Sequence, residues 1–104
     1  MDERRRSVRM VIDGQLATLP ANVDVQVIDI SVAGVLLQTN QPFDPGTRGC
    51  LRLNLWGTPF SADVEVRRVD KLMNGERQAG YGVGAVFVAI MPEHRQLIER
   101  FASQ

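Results

Sequence analysis

Across most of the chain, apolar and polar residues alternate with a period of two, as in strands that bury one face and wet the other. Leu51, Leu53 and Leu55 alternate with Arg52 and Asn54, and Phe60, Ala62, Val64 and Val66 with Ser61, Asp63, Glu65 and Arg67. Val23, Val25 and Val27 alternate with Asp24 and Gln26, and the phase then slips at Ile28. A slip of one residue sends the apolar set to the other face, so a β-bulge is predicted near Ile28. Turn-forming residues punctuate the runs at Asp13-Gly14, Asn40-Gln41-Pro42, Asp44-Pro45-Gly46, Gly57-Thr58-Pro59 and Asn74-Gly75. The last lies between strand-like segments at Phe60–Val69 and Ala79–Val88 and predicts a long hairpin. Roughly six or seven short strands at this spacing predict an all-β fold, an antiparallel barrel closed or nearly so. Closure also removes the unpaired edges that a small sheet must otherwise protect.

The period changes only near the end. His94, Leu97, Ile98 and Phe101 share one face of a helix, with Pro92 suited to its first turn, Glu93 to the N-terminal dipole and Arg100 to the C-terminal one. A helix of about ten residues is not stable alone in water, so it is expected to pack on the barrel. No repeat, low-complexity stretch or linker divides the 104 residues, a length that suits a single domain with one modest core. The expected organisation is a flexible arm over residues 1–9, which hold little apolar content beyond Val8, a barrel over 10–90 and a helix over 91–102.

Composition narrows the class. Apolar residues make up 44% and charged residues 23%, ordinary for a globular protein, and the formal net charge is zero. There is thus no chain-wide field drawing the protein to nucleic acid or an anionic membrane. Eleven of the twelve basic residues are arginine, Lys71 being the exception, a bias that favours planar, bidentate anion contacts. Cys50 is alone, which excludes an internal disulfide and a cysteine-rich zinc site; its apolar strand context reads as a small core residue. The longest apolar run, Gly82 to Met91, is about half of the roughly 20 residues needed to span a bilayer. The start lacks an apolar signal-peptide core. A cytoplasmic protein without membrane insertion is expected. His94, the one histidine, sits beside apolar helix neighbours and reads as a packing or surface residue. No nucleophile stands in a histidine motif and the carboxylates are scattered, so no catalytic residue, metal site or cofactor is expected. Trp56, just before Gly57, reads as a core-edge side chain.

Two clusters carry chemistry. Residues 1–10 hold Arg4, Arg5, Arg6 and Arg9 against Asp2 and Glu3, with an R-x-x-x-R spacing from Arg5 to Arg9. Guanidinium groups fork onto phosphate oxygens and pair with the O6/N7 edge of guanine. Taken alone, the cluster better suits a solvated tail. The second cluster is Asp29-Ile30-Ser31-Val32-Ala33-Gly34. Asp29 can accept from the N1–H and N2–H donors of a guanine, Ser31 can bond a base edge or a phosphate oxygen, and Gly34 permits positive φ or close ligand approach. Taken alone, the same residues make an Asx-type turn between strands.

Together, an arginine pair followed about twenty residues later by D-x-S-x-x-G resembles the PilZ domain family, and chance alone produces a D-x-S-x-x-G in only about a few per cent of chains this long. Tyr81-Gly82-Val83-Gly84-Ala85-Val86-Phe87-Val88 looks like that family's glycine-containing late strand, and the segment from Pro92 to Phe101 like its closing helix. The resemblance implies a six-stranded antiparallel barrel with a short C-terminal α-helix that binds cyclic di-GMP in bacterial signalling. The arginine arm, carried here by Arg5 and Arg9, would close over ligand held by Asp29, Ser31 and Gly34. Many members place an aromatic before the late hairpin turn to stack on a guanine. Here Val66-Arg67-Arg68-Val69 has none, and Arg67 or Arg68 can substitute by stacking its guanidinium plane. Arg4, preceding the pair, is the position that in this family accompanies binding of two mutually intercalated ligands. Such a receptor acts on a downstream protein that the sequence does not identify. Two other readings remain: a small barrel binding single-stranded nucleic acid, disfavoured by six aromatics mostly at core parity, and a PilZ-like protein-interaction adaptor without ligand.

Overall fold

The protein is described by a computed structural model over residues 8–17, 22–55 and 57–102, with backbone alone at 8–12, 101 and 102. Among these residues run strands β1 (Val8–Ala17), β2 (Asn22–Ile30), β3 (Gly34–Thr39), β4 (Arg48–Leu55), β5 (Thr58–Asn74) and β6 (Arg77–Ile90), then helix α1 (Pro92–Ala102). They form a closed six-stranded antiparallel barrel in the order β1-β2-β3-β6-β5-β4, with β4 returning to β1. The predicted fold class holds. Alternation explains it: Leu51, Leu53, Leu55, Phe60, Ala62, Val64 and Val66 are all buried and fill the barrel with Leu16, Val25, Val27, Ile30 and Leu37.

Two bulges keep charge out of that core. In β2 against β3, Val27 pairs with Leu37 and Asp29 with Leu36, leaving Ile28 as the extra residue. Without it, strict alternation after Val25 and Val27 would turn Asp29 inward; with it, Ile30 takes the core position instead, fully buried. In β5 against β6, Val66 pairs with Ala85 and Arg68 with Gly84, leaving Arg67 extra. This bulge turns Arg68 outward and brings Val69 against the core. The first was predicted from the phase slip. The second was not, because Arg67 and Arg68 are both polar and hide the slip.

Three sequence expectations change. Asp13-Gly14 does not turn: both lie within β1, where Asp13 pairs with Gln26 and Gly14 with Val25 and Leu53. A Cβ on Gly14 would lie 3.0 Å from the Arg52 carbonyl oxygen, so glycine serves the close approach of β1 and β4. The segment continues as strand because β2 pairs with it on one side and β4 on the other, and the Asp13 carboxylate accepts from Gln26 Nε2 at 3.4 Å. Cys50 is half-buried on the outward register, between Ala17 and Asp63, because it precedes the inward Leu51 by one residue. The late hairpin is longer than predicted, its strands running to Asn74 and from Arg77 around Gly75-Glu76. Residues 73–79 are exposed, and without an apolar face their strand character leaves no alternation to read.

Helix α1 packs as expected through Ile98, fully buried, and Leu97. The His94 ring lies against Phe60, and its Nδ1, 2.9 Å from the Ser61 carbonyl oxygen, donates to it in the Nδ1–H tautomer. No helix among the described residues is long and apolar enough to cross a membrane. Arg4, Arg5 and Trp56 lie outside the described residues. Val8 and Arg9, read from the sequence as the end of the arm, belong to β1.

Candidate functional site

The D-x-S-x-x-G segment spans the end of β2, the connection over Ser31, Val32 and Ala33, and the start of β3. Ser31 N–H donates to the Gly34 carbonyl at 2.9 Å, and Ala33 N–H donates to Ser31 Oγ at 3.3 Å. The Ala33 carbonyl accepts from Phe87 N–H at 3.2 Å, tying the turn to β6. The hydroxyl therefore spends one acceptor on the turn, and its proton is a further donor. Gly34 is not in the left-handed region. It is required by a close approach, because a Cβ there would overlap the Ala85 carbonyl oxygen on β6. The close neighbour is thus the protein's own backbone.

Register brings distant residues into rows across the sheet, and along these rows directly opposed residues whose side chains are described project to the same side. Arg9 pairs with Asp29, Asp29 with Leu36, Leu36 with Gly84 and Gly84 with Arg68. This row crosses five strands, a path of four inter-strand steps or about 19 Å along the curved sheet. Asp29 is 8% exposed, while Leu36 at 37% is open to solvent. A Cβ on Gly84 would approach nothing nearer than 3.9 Å, at Arg68 Cβ, so bare backbone is flanked by Leu36 and Arg68. Arg68 holds Asp70 at 3.0 Å, Nε to Oδ2, with both side chains largely exposed. A second row runs Gly34, Val86, Glu65, Arg48. Arg67, at the bulge, pairs with Glu65 rather than joining the Asp29 row.

Of the sequence-predicted site residues, the structure thus brings Arg9, Asp29 and Arg68 into one row and sets Ser31 and Gly34 beside it. Leu36, Gly84, Glu65 and Arg48 were missed. Leu36, Glu65 and Arg48 stand in no local motif, Gly84 only in the late-strand pattern, and the relation of all four to Asp29 exists only through pairing. A groove of about 610 Å³ lined by Asp13, Gln15, Asp24, Arg52, Phe60 and His94 contains none of the predicted residues. Among the described residues no cluster of three or more His, Cys, Asp or Glu side chains could hold a metal ion.

A family model described as PilZ domain matches residues 3–104. The chain belongs to the PilZ domain family. This PilZ chain is similar in structure to the PilZ domain with c-di-GMP of YcgR from Escherichia coli, with a TM-score of 0.73 and 17% identity, covering 97% of this chain and 90% of that one. It is also similar to the Bacillus subtilis inhibitor of motility, MotI/DgrA, with a TM-score of 0.80 and 16% identity, covering 98% of this chain and 51% of that one. The chain therefore spans about half the length of the second structure. At such identities the likeness to these structures speaks for the shared fold. Comparison with curated protein sequences gives no match.

Proposed function

We propose that this PilZ chain is a cytoplasmic receptor for cyclic di-GMP, bound on the outer face across the Asp29 row and passed on as a signal to a protein partner. The observation that carries the reading is the pairing of Arg9 with Asp29. This backbone register sets two motifs twenty residues apart in sequence, each ambiguous alone, directly opposite one another on neighbouring strands. Asp29 accepts the N1–H and N2–H of a guanine, and Ser31 donates its hydroxyl proton to a phosphate or base oxygen. Arg5 and Arg9 fork onto phosphate oxygens or a guanine edge. The bare backbone at Gly84, between Leu36 and Arg68, admits a flat base on which the Arg68 guanidinium stacks. Arg68 takes this role in preference to Arg67 because it shares the row with Asp29. The YcgR neighbour with c-di-GMP supports the nucleotide as ligand.

The geometry counts against a single-stranded nucleic acid. Such proteins stack bases on exposed aromatics, whereas the described Phe43, Phe60, Tyr81 and Phe87 all belong to or pack against the core. Isothermal titration with cyclic di-GMP, an unrelated cyclic dinucleotide and a short RNA tests the reading. Saturable binding of cyclic di-GMP alone is expected; binding of RNA alone, or of nothing, overturns it.

A further inference from the structure

Glu65 is 83% removed from solvent at its side chain, yet two exposed arginines share it. Its Oε1 accepts from Arg48 Nε at 3.0 Å, its Oε2 lies 3.3 Å from Arg67 Nε, and the side-chain exposures are 17% for Glu65, 72% for Arg48 and 61% for Arg67. The register puts this trio at the margin of the candidate site. Glu65 and Arg48 share the row of Gly34, and Arg67 directly precedes Arg68 in the chain. Two inter-strand steps, about 10 Å, separate Glu65 from Gly34.

We infer that Glu65 is a resident anion that occupies Arg48 and Arg67 and lowers the affinity of the site, because a ligand phosphate reaches those arginines only by displacing the Glu65 carboxylate. The identity of the phosphate rests on the cyclic di-GMP reading; the exchange of anions does not. Ion pairs with exposed arginines are weak enough to exchange, and a phosphate oxygen matches the guanidinium fork as well as a carboxylate does. The cost falls on Glu65. A carboxylate largely out of water is compensated by its two guanidinium partners, and it cannot regain full hydration when they leave. Capture of phosphate at Arg48 and Arg67 therefore strands a negative charge, and also sets it beside another. A cross-strand pair serving the sheet alone has a different signature: its loss weakens the barrel and never strengthens binding.

Glu65→Gln preserves the side-chain shape and frees both arginines. Its dissociation constant for cyclic di-GMP is expected to fall roughly two- to thirtyfold, with a steeper dependence on salt. Replacing Arg48 and Arg67 by Gln in that background should erase the gain. Should the Gln variant fail to fold, Glu65→Thr, neutral and suited to a strand, takes its place. A folded variant with unchanged or weaker affinity overturns the inference, as does a gain that survives loss of both arginines. A parallel titration with inorganic pyrophosphate, followed through the arginine Nε–Hε resonances, separates this outcome from failure of the receptor reading. If neither protein binds cyclic di-GMP but pyrophosphate shifts Arg48 and Arg67 at lower concentration in Glu65→Gln, the receptor reading falls and the exchange stands. Equal pyrophosphate responses without a cyclic di-GMP gain sink the exchange.

Discussion

At the scale of single residues, Asp29 and Gly34 bound the same short motif yet do different work. Asp29 lies off the inward register, kept out of the apolar core by the Ile28 bulge, yet is only 8% exposed. Asp29→Asn removes the charge while keeping the shape, so the charge-assisted bonds proposed to guanine would be lost and the turn retained. Affinity for cyclic di-GMP is expected to fall roughly 10- to 150-fold, with a cooperative thermal transition preserved; calorimetry and melting on the same samples check both. Gly34 answers to β6. Gly34→Val forces a side chain into the Ala85 carbonyl, and about 1–3 kcal/mol of stability should be lost. A urea midpoint unchanged from wild type would show that β6 can yield at this contact.

At the scale of elements, the two bulges and the start of β1 organise the surface. The bulges at Ile28 and Arg67 let two strands carry Asp29 and Arg68 off the inward register, Asp29 at 8% exposure and Arg68 largely open to solvent. Strand β1 carries Arg9 into the row, so the arm proposed to bind ligand would divide between a strand residue and the preceding segment that holds Arg5. Arg5→Ala and Arg9→Ala should each weaken cyclic di-GMP binding about tenfold or more and leave the melting temperature nearly unchanged, because neither belongs to the apolar pattern. Amide hydrogen exchange supplies the complementary measurement: adding ligand should slow exchange at residues 4–7. Identical exchange with and without saturating cyclic di-GMP would remove the arm from the mechanism.

At the scale of the whole molecule, the question is how much ligand one barrel face takes. Arg4 precedes Arg5, adding a third guanidinium to the Arg5–Arg9 pair. A stacked pair of ligands carries four phosphate charges (two per cyclic dinucleotide), and a further guanidinium offsets their repulsion. Two cyclic di-GMP per chain are therefore expected in the wild type, with Arg4→Leu moving the ratio toward one. Titration at protein concentrations well above the dissociation constant reads the ratio directly. A wild-type ratio of one ends the pair hypothesis and leaves the receptor intact.

What the sequence by itself determined is what repeats locally. Period-two alternation marked the inward positions of β4 and the first half of β5, the slip at Ile28 marked a bulge, and the helical spacing of Leu97 and Ile98 marked the face of α1 that packs. The turn over Asp29, Ser31 and Gly34 was likewise legible, because its residues lie within six positions and bond to one another. Tertiary structure decided everything that depends on which strand lies beside which. It made Asp13-Gly14 a strand crossing close to β4, and it set Cys50 outside the core. It joined Arg9 to Asp29 and Arg68 in one row, and it gave Glu65 to Arg48 and Arg67. The physical reason is that an outward polar residue carries no periodic mark of its neighbours. Its partners are set by barrel closure and by bulge positions on other strands, and a bulge between two polar residues leaves no trace in the pattern.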